Sequence, residues 1–325
     1  MAEIGYKQIP GVQLPCSQIF YGAGCDMIQE GEDHSAFLEE IFKTGINTFD
    51  TARRYGLSEK TLGIWVEKRG RRDDLVILSK CCHPLEDGTK RVSREAILED
   101  YGISRSLLGF DFIDIYLLHR DDPDVAVGPI VETLNELKAA GKIGVFGGSN
   151  WQIPRIEEAN EYAYAHGLQG FTVSSPNFCL ADQITDMWGG GGVAITGPAH
   201  VKEREWYVRT QMPVVAYSSL GHGMFTGRMK ASDEQNAAQF LDEFALKGYA
   251  CPENFERLRR VEILAKEKGV KVPQIAMSWL FRQKVNVFAV VATTSVGRMR
   301  ENIDAVQVEL TEQECRYLDL VADTL

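Results

Sequence analysis

The fold is indicated most clearly by a stretch near the middle of the chain in which two short apolar runs flank an amphipathic one. The first run is Phe112-Ile113-Asp114-Ile115-Tyr116-Leu117-Leu118, and the second is Ile143-Gly144-Val145-Phe146. Residues 125–140 lie between them, have the pattern of a helix, and end at Gly141, a common residue after helix ends. Runs that are apolar on both faces are typical of strands buried beneath helices. This stretch therefore predicts a strand–helix–strand unit of a parallel sheet.

The same alternation extends over most of the 325 residues. Eight strands are predicted, at 19–21, 46–49, 75–78, 112–118, 143–146, 171–173, 214–217 and 287–291. Helical patterns occupy residues 34–44, 58–68, 93–108, 125–140, 254–269 and 272–282. Eight alternating βα units predict an α/β fold of the (β/α)8 TIM barrel type. The alternative, a doubly wound sheet, is disfavoured because Gly22-Ala23-Gly24 lacks the third glycine of a dinucleotide-binding turn.

Three segments fall outside the simple repeat. Residues 6–9 and 14–17 flank Pro10-Gly11, which predicts an N-terminal β-hairpin closing the bottom of the barrel. Residues 180–210 and 221–251 are long insertions, expected as functional loops at the C-terminal face, where barrel enzymes carry their chemistry, with a helix predicted in the first around Glu203, Trp206 and Tyr207. The sequence has no linker, so we expect a single domain over residues 1–325.

Composition narrows the class of protein. A net charge of −11 gives no electrostatic basis for binding nucleic acid or an anionic membrane surface. No apolar run approaches the ~20 residues of a spanning helix, and no signal-peptide pattern opens the chain. The seven scattered cysteines are expected to be reduced thiols of a cytoplasmic protein. Cys81-Cys82-His83 lacks the spacing of a zinc site, so no metal is predicted.

Polar residues that follow strand ends are the catalytic candidates in such a barrel. Asp50 and Tyr55 follow the second strand, Lys80 the third and His119 the fourth. A buried ammonium beside a phenol is expected to lower the phenol pKa, and a carboxylate keeps the ammonium charged. A histidine can hold a substrate oxygen by a hydrogen bond. Together these four residues predict a general acid for a carbonyl oxygen.

The motifs that carry these residues resemble those of the aldo-keto reductase superfamily, in the same order over almost the whole chain. The matching segments are Asn47-Thr48-Phe49-Asp50-Thr51-Ala52-Arg53-Arg54-Tyr55-Gly56-Leu57-Ser58-Glu59, Ile77-Leu78-Ser79-Lys80, Ile113-Asp114-Ile115-Tyr116-Leu117-Leu118-His119, Gly148-Ser149-Asn150-Trp151, Ala216-Tyr217-Ser218-Ser219-Leu220-Gly221 and Glu301-Asn302. The resemblance implies an NAD(P)-dependent oxidoreductase that reduces an aldehyde or ketone, or oxidises the corresponding alcohol. Tyr55 would then protonate the carbonyl, Lys80 and Asp50 would tune it, and His119 would orient the substrate.

The resemblance also implies a nicotinamide site at the barrel mouth. Ser149, Asn150 and Ser175 would face the carboxamide, and Tyr217 would stack on the ring. The remaining residues of the implied cofactor site are Gly24 and Cys25 beside the nicotinamide, Ser218, Leu220 and Gly221 along the pyrophosphate, and Thr293, Thr294, Arg298, Glu301 and Asn302 at the adenosine end.

Two positions depart from the family pattern. A glutamine that commonly holds the carboxamide is replaced by Ser175, and Asn177 is the alternative residue for this role. Ala292 stands where the family often places a lysine on the 2′-phosphate of NADP, although Arg298 remains to bind a phosphate. NADP(H) is therefore the preferred cofactor hypothesis, and NAD(H) stays open.

The substrate is left open by the sequence. A small carbonyl or alcohol, which includes a sugar, is expected, with Met27, Trp151 and Trp188 as candidate pocket residues. Two other functions were weighed: a cofactor-binding regulatory module of the same fold, and an aldolase-type barrel with Lys80 as a Schiff-base lysine. The complete set of four polar residues favours the reductase. The oligomeric state is not indicated.

Overall fold

A computed structural model of the chain describes residues 4–325 and confirms the predicted barrel. Eight parallel strands close in the order β10-β3-β4-β5-β6-β7-β8-β9. Their bounds are β3 Ile19–Gly22, β4 Thr48–Asp50, β5 Val76–Cys81, β6 Ile113–Leu118, β7 Ile143–Ser149, β8 Val173–Ser175, β9 Val214–Ala216 and β10 Val287–Val291. The strands are buried almost throughout, which accounts for their continuous apolar sequences.

The predicted N-terminal hairpin is also present. Strands β1 (Tyr6–Lys7) and β2 (Cys16–Ser17) pair antiparallel, with Tyr6 opposite Ser17. The connecting turn contains Gly11 at φ +84°, and a Cβ added there would meet Cγ1 of Val145 at 2.7 Å. The turn therefore packs closely against the first half of β7, and both the backbone angle and the contact require glycine.

Twelve α-helices are described within residues 4–325. They are α1 Asp26–Gln29, α2 Ser35–Phe42, α3 Ser58–Arg69, α4 Arg94–Leu108, α5 Val127–Ala139, α6 Ile153–Ala165, α7 Val201–Thr210, α8 Glu243–Tyr249, α9 Pro252–Lys268, α10 Val272–Arg282, α11 Val296–Asp304 and α12 Glu312–Leu318. The six helical patterns recognised in the sequence all form helices. None of the helices within the described residues is long and apolar enough to cross a membrane.

The helix α6 was not recognised from the sequence. Its buried residues are Ile156, Ala159 and Ala163, so two of the three side chains that face inward are single methyl groups. Such a narrow stripe gives a weak periodic signal. The long insertions are not bare loops: residues 180–210 contain α7, and residues 221–251 contain α8 and two 3₁₀ segments, Gly221–Gly223 and Ala231–Gln239.

Two compact units divide the chain. The first contains Tyr6–Ser175 and Ala292–Val296, and its aromatic core includes Phe49, whose ring lies 4.7 Å from that of Trp65. The second contains Pro176–Val291 and Gly297–Leu325, and within it β9 and β10 pair with Val214 opposite Val287. The prediction of a single domain over residues 1–325 stays a prediction.

Candidate active site

Tyr55 is positioned by the chain that leaves the end of β4. The backbone N–H of Thr51 donates to the carbonyl of Leu78 at 2.8 Å, and that of Arg53 donates to the carbonyl of Lys80 at 2.9 Å. The chain therefore continues to pair with β5 beyond the last residue of the strand. Residues 52–58 then turn into α3, with the Thr51 and Ser58 hydroxyls in hydrogen-bond contact at 2.5 Å. This turn brings Tyr55 beside Lys80.

Lys80 and Asp50 form a buried ion pair. Lys80 Nζ donates to Asp50 Oδ1 at 2.5 Å and to the carbonyl of Thr51 at 2.9 Å. Its third neighbour is the Tyr55 hydroxyl oxygen, at 3.5 Å. Lys80 and Asp50 are only 3% and 4% exposed, so each charge depends on the other for compensation. The ammonium is thus held against the phenol by partners that leave it no other orientation.

The ion pair keeps Lys80 protonated. Burial alone would lower the pKa of Lys80, but the negative charge of Asp50 and the contact with Tyr55 outweigh it, and the pKa lies above its ordinary value. A Schiff-base lysine has to be a free amine to attack a carbonyl. This environment therefore opposes the aldolase-type function that the sequence left open.

Tyr55 is a protonated phenol at neutral pH. Burial raises its pKa, and the charge of Lys80 lowers it by a smaller amount. Lys80 therefore lowers the Tyr55 pKa as expected from the sequence, and burial is the larger effect. A phenol that keeps its proton at neutral pH suits the role of a proton donor.

His119 stands over Tyr55 as a neutral imidazole. The two rings lie 5.6 Å apart and are nearly perpendicular, at 82°. Burial, with the charges of Lys80 and Arg120, holds the pKa of His119 well below its ordinary value. Its Nδ1 is buried and has no hydrogen-bond partner within residues 4–325. Because an N–H there would lack an acceptor, we infer that the proton resides on Nε2, where a substrate oxygen could accept it.

The backbone of His119 is fixed from both sides. Its N–H donates to the carbonyl of Cys81 at 2.7 Å, which prolongs the pairing of β5 with β6. Its carbonyl accepts from Arg120 Nη1 at 2.9 Å and from Asn150 Nδ2 at 3.3 Å. The imidazole is therefore carried on a rigid strand end.

The structure places Ser149 and Asn150 in a polar chain at the end of β7. The Asn150 side chain donates to Ser149 Oγ at 3.0 Å, and Ser149 Oγ donates to the carbonyl of Ser175 at 3.0 Å. Asn150 adopts a left-handed conformation, with φ +59°. The predicted carboxamide-binding residues Ser149, Asn150 and Ser175 are thus adjacent to one another, and Asn150 is also bonded to His119.

Five further predicted residues lie in the same unit as Tyr55. A Cβ added to Gly24 would lie 3.4 Å from two ring carbons of Tyr55, so the backbone of Gly24 packs against the phenol. The Tyr21 hydroxyl contacts Cys25 Sγ at 3.6 Å and donates to the carbonyl of Thr293 at 3.3 Å. Cys25 and Thr293 therefore both contact the hydroxyl of Tyr21. Met27 is half-buried in α1, and Thr294 is exposed.

Trp151 does not have the exposure expected of a substrate-binding residue. Only 1% of its surface is exposed, its Nε1 donates to the carbonyl of Arg120 at 3.1 Å, and its ring packs on Phe171 at 4.9 Å. The predicted substrate contact of Trp151 stays a prediction. Trp151 supports the backbone that follows His119.

In the second unit, Tyr217 begins a loop with unusual backbone angles. Ser218, Gly221, His222 and Gly223 all have positive φ, at +52°, +60°, +48° and +111°. Closely spaced residues of opposite backbone hand turn N–H groups toward one side and form concave anion sites. The predicted pyrophosphate-binding residues Ser218, Leu220 and Gly221 lie in this loop, so its backbone fits that role.

Asn177, the alternative residue for the role of the missing glutamine, supports Tyr217. It is fully buried, and its Nδ2 donates to the Tyr217 carbonyl at 3.4 Å and to the Tyr249 hydroxyl at 2.7 Å. Its Oδ1 is buried and has no hydrogen-bond partner within residues 4–325, so a role of Asn177 toward the carboxamide stays a prediction.

The predicted adenosine-end residues of this unit lie on α11. Arg298 is exposed, whereas Asn302 is 5% exposed. Glu301 forms an ion pair with Lys271, and its carbonyl accepts from Gln274 at 3.1 Å. Trp188, the third candidate pocket residue, is 38% exposed and stacks on Phe244 with the ring centres 5.2 Å apart.

Two residues near His119 received no such role from the sequence. His83, considered only as a metal ligand, has its ring 4.8 Å from that of His119 at 79°. Arg120 is buried directly after His119. The signal for Arg120 was its position, since a charged residue immediately following a catalytic strand end is itself a candidate for the site.

A (β/α)8 barrel with a buried lysine–aspartate pair, a protonated tyrosine and a neutral histidine at its strand ends defines a class of carbonyl-reducing enzymes. The sequence profile of the aldo/keto reductase family matches residues 27–323, and the chain belongs to this family. It is an oxidoreductase that acts on carbonyls, in a family whose members use nicotinamide cofactors.

Individual relatives agree with this assignment. The chain is 24% identical to an aldo-keto reductase of Strobilurus tenacellus, over 99% of this chain and 89% of that protein. It is also 24% identical to an NADP(+) aldo-keto reductase of Schizosaccharomyces pombe, over 99% and 91%. The structure of a thermostable aldo-keto reductase bound to the inhibitor epalrestat matches the fold with a TM-score of 0.71 at 22% identity, over 98% of this chain and all of that one.

Proposed function

We propose that this enzyme reduces an aldehyde or ketone to the alcohol with NADPH, and that Tyr55 is the proton donor. The observation that carries the proposal is the position of Lys80 Nζ, bonded to Asp50 at 2.5 Å and 3.5 Å from the Tyr55 hydroxyl. An ammonium fixed beside a phenol stabilises the phenolate that proton donation leaves behind. The position of Lys80 therefore favours a reaction in which Tyr55 loses its proton.

A nicotinamide held by the cofactor residues would, when bound, be the source of the hydride that the carbonyl carbon accepts. His119 donates a hydrogen bond from Nε2–H to the carbonyl oxygen and orients this oxygen toward Tyr55. The imidazole itself neither gains nor loses a proton in the step. Tyr55 transfers its hydroxyl proton to that oxygen as the C=O π bond breaks and the new C–H bond forms. Lys80 stabilises the resulting phenolate, which regains its proton from water. In alcohol oxidation the same phenolate accepts the proton.

The cofactor would be held by the residues assigned above. Ser149, Asn150 and Ser175 would bind the carboxamide, and Tyr217 would stack on the ring. The backbone of residues 218–223, in which Ser218, Gly221, His222 and Gly223 have positive φ, favours a bound pyrophosphate because N–H groups in such a loop supply positive ends of dipoles. Gly24, Cys25, Thr293, Thr294, Arg298, Glu301 and Asn302 complete the proposed set.

NADPH is proposed over NADH on two grounds. Arg298 supplies an exposed guanidinium on α11, and a guanidinium binds a phosphate bidentately. The Schizosaccharomyces pombe relative is named as an NADP(+) enzyme. Ala292 favours NADH, because it supplies no charge at a position where the family often has a lysine.

Steady-state reduction of an aldehyde panel, followed by nicotinamide absorbance, tests the cofactor and the reaction together. We expect aldehyde-dependent NADPH oxidation, with kcat/KM for NADPH at least about tenfold above that for NADH, the value of one charged hydrogen bond. Arg298→Met should remove most of this difference and leave NADH unchanged. A clear NADH preference in the wild type would contradict the cofactor assignment, and the absence of turnover with both cofactors would contradict the reaction.

A further inference from the structure

Arg120 is a buried cation without a carboxylate partner. Its side chain follows His119 directly and is 8% exposed. Within residues 4–325 no Asp or Glu oxygen lies within 4.0 Å of it, whereas the nearby Arg155 is paired with both Asp121 and Glu158. Removing a charge from water without a counterion is unfavourable. A buried arginine of this kind is therefore suited to a partner that arrives from outside the chain.

The guanidinium also has N–H donors that remain available to such a partner. Nη1 donates to the carbonyl of His119 at 2.9 Å, and this is the hydrogen bond that the side chain makes within the described part of the molecule. Nε and Nη2 are not sealed from solvent, since neither is among the fully buried atoms that lack partners. One edge of the planar guanidinium is thus available, and such an edge matches the two oxygens of a carboxylate.

The groups around Arg120 belong to the reaction centre. Its charge lowers the pKa of Tyr55, His83 and His119, which places it within electrostatic range of the phenol. Lys80 and Arg54 are the other cations acting on His119. Asp50, the acid beside Lys80, is already used by that lysine. The guanidinium lies beside the His119 carbonyl, which Asn150 also contacts, and its charge is not neutralised there by a carboxylate of the described residues.

His83 adds a polar wall to the same region. Its Nδ1 lies 2.9 Å from the carbonyl of Pro84, so it is Nδ1 that carries the proton. Its pKa is lowered, mainly by burial and with contributions from Arg120 and Arg54, so the ring is neutral at neutral pH. His83 therefore adds no positive charge there. Lys80 is paired with Asp50, and Arg54 lies 3.7 Å from Glu86, so Arg120 is the cation near His119 that has no carboxylate partner within the described residues.

We propose that the physiological substrate carries a carboxylate as well as its reacting carbonyl, and that Arg120 binds this carboxylate. The inference rests on the proposed function, because it assigns the substrate class of the same site. The bound carboxylate supplies the counterion that the fold lacks, while the carbonyl oxygen reaches Tyr55 and His119. A neutral substrate would leave the Arg120 charge uncompensated, so the pairing discriminates between substrates of equal size.

Matched substrate pairs test this assignment in the wild-type enzyme. The first pair is 4-carboxybenzaldehyde and 4-formylbenzamide, and the second is 4-oxobutanoate and 4-oxobutanamide. Each amide copies the shape of its carboxylate without the charge, and the two pairs place the carboxylate at different distances from the carbonyl. We expect kcat/KM with NADPH to favour the carboxylate at least about tenfold in one pair or both, as for a charge-assisted hydrogen bond.

Variants then assign the preference to Arg120. Arg120→Met should lower kcat/KM for the preferred carboxylate by about 10- to 100-fold, mainly through KM, and change the amide by less than about threefold. Arg120→Lys should keep part of the preference, because it retains the charge but not the planar edge. Arg54→Met is the matched control: Arg54 lies in the same electrostatic neighbourhood but is half-exposed and 3.7 Å from Glu86, so the preference should persist.

The outcomes separate this inference from the proposed function. Equal kcat/KM for carboxylate and amide in both pairs overturns the inference and leaves the reductase proposal intact. An equal loss for both substrates in Arg120→Met also overturns it, since that result marks a structural residue. If Arg120→Met does not fold, an undiminished preference in Arg120→Lys overturns the inference, and a reduced one supports it. No reduction of any of the four aldehydes overturns both proposals.

Discussion

At the scale of single residues, the site consists of four polar side chains whose charges are set by their burial. Lys80 is cationic because Asp50 compensates it, Tyr55 keeps its proton because burial outweighs Lys80, and His119 is neutral because burial and two cations oppose its protonation. The result at neutral pH is one charged donor, one neutral acid and one neutral hydrogen-bond donor. This combination is matched to an uncharged carbonyl that becomes an alkoxide as it is reduced.

The neutral state of His119 has a consequence for stability. Its pKa in the folded chain is lowered, so the unfolded chain, with a histidine pKa near 6.5, binds a proton first as the pH falls. His119 therefore does not reduce the free energy of unfolding above about pH 6.5. Below that pH, the preferred protonation of the unfolded chain lowers the free energy of unfolding by no more than about 1.4 kcal/mol per pH unit. We expect the free energy of unfolding, measured in urea, to fall less between pH 7.5 and pH 5.5 in His119→Gln than in the wild type.

The comparison needs a control histidine, because other groups titrate in the same range. His166 is exposed and serves this purpose in a His166→Gln variant. The control should reproduce the wild-type fall between the two pH values. If His119→Gln loses as much stability on acidification as the wild type does, then His119 is not held neutral by the fold.

How far the sequence predicted these residues depended on the kind of information required. The positions of Asp50, Tyr55, Lys80 and His119 followed from strand ends, which a βα pattern reveals. The net change in the pKa of Tyr55 could not be predicted from the sequence, because it depends on how deeply the phenol is buried and on how strongly one nearby charge acts on it. Trp151 was placed at the substrate for its residue type, yet its ring faces Phe171. The absence of a carboxylate partner for Arg120 within residues 4–325 is visible only in the structure, because a sequence does not show which charges remain unpaired.

At the scale of elements, the site depends on strand pairing that continues beyond the strand ends. The Thr51 and Arg53 amides bond to β5 carbonyls, and the His119 amide bonds to Cys81, so each catalytic residue leaves a strand in a fixed direction. The strands with continuous apolar runs were predicted well, whereas β8 was predicted at 171–173 and forms at Val173–Ser175, because its two serines give no apolar signal. The helix α6 was missed because it buries two alanines. The helix α7 of the first insertion was predicted, whereas α8 and the 3₁₀ segments of the second were not, because such short elements leave no periodic signal.

The N-terminal hairpin gives a prediction at this scale. Gly11→Ala would force a Cβ to within 2.7 Å of Val145 at a left-handed backbone angle, whereas Gly141→Ala, at φ +68°, meets nothing within 4 Å. Both substitutions incur a left-handed backbone penalty of about 1–2 kcal/mol, and overpacking adds about 1–3 kcal/mol in the first. Urea unfolding should therefore show the larger loss for Gly11→Ala. Equal losses in the two variants would show that the turn does not pack on β7.

At the scale of the whole molecule, cofactor binding and folding are linked. A ligand that binds the folded chain raises the free energy of unfolding by about 2.7 kcal/mol at 100 times its dissociation constant. A rise in melting temperature with NADPH therefore reports an intact cofactor site without any turnover. This readout separates a catalytic defect from a structural one, which matters for Tyr55 because its ring packs against the backbone of Gly24.

The most direct test of the central claim, that Tyr55 donates the proton, compares kcat for aldehyde reduction by the wild type and Tyr55→Phe at pH 7, with NADPH-induced stabilisation measured on both proteins. The substitution keeps the ring on Gly24 and removes only the hydroxyl. We predict that kcat falls by about 10²- to 10⁴-fold, the usual contribution of a general acid, while the NADPH-induced rise in melting temperature is unchanged. Equal kcat values for the two proteins, with equal stabilisation by NADPH, would contradict the account.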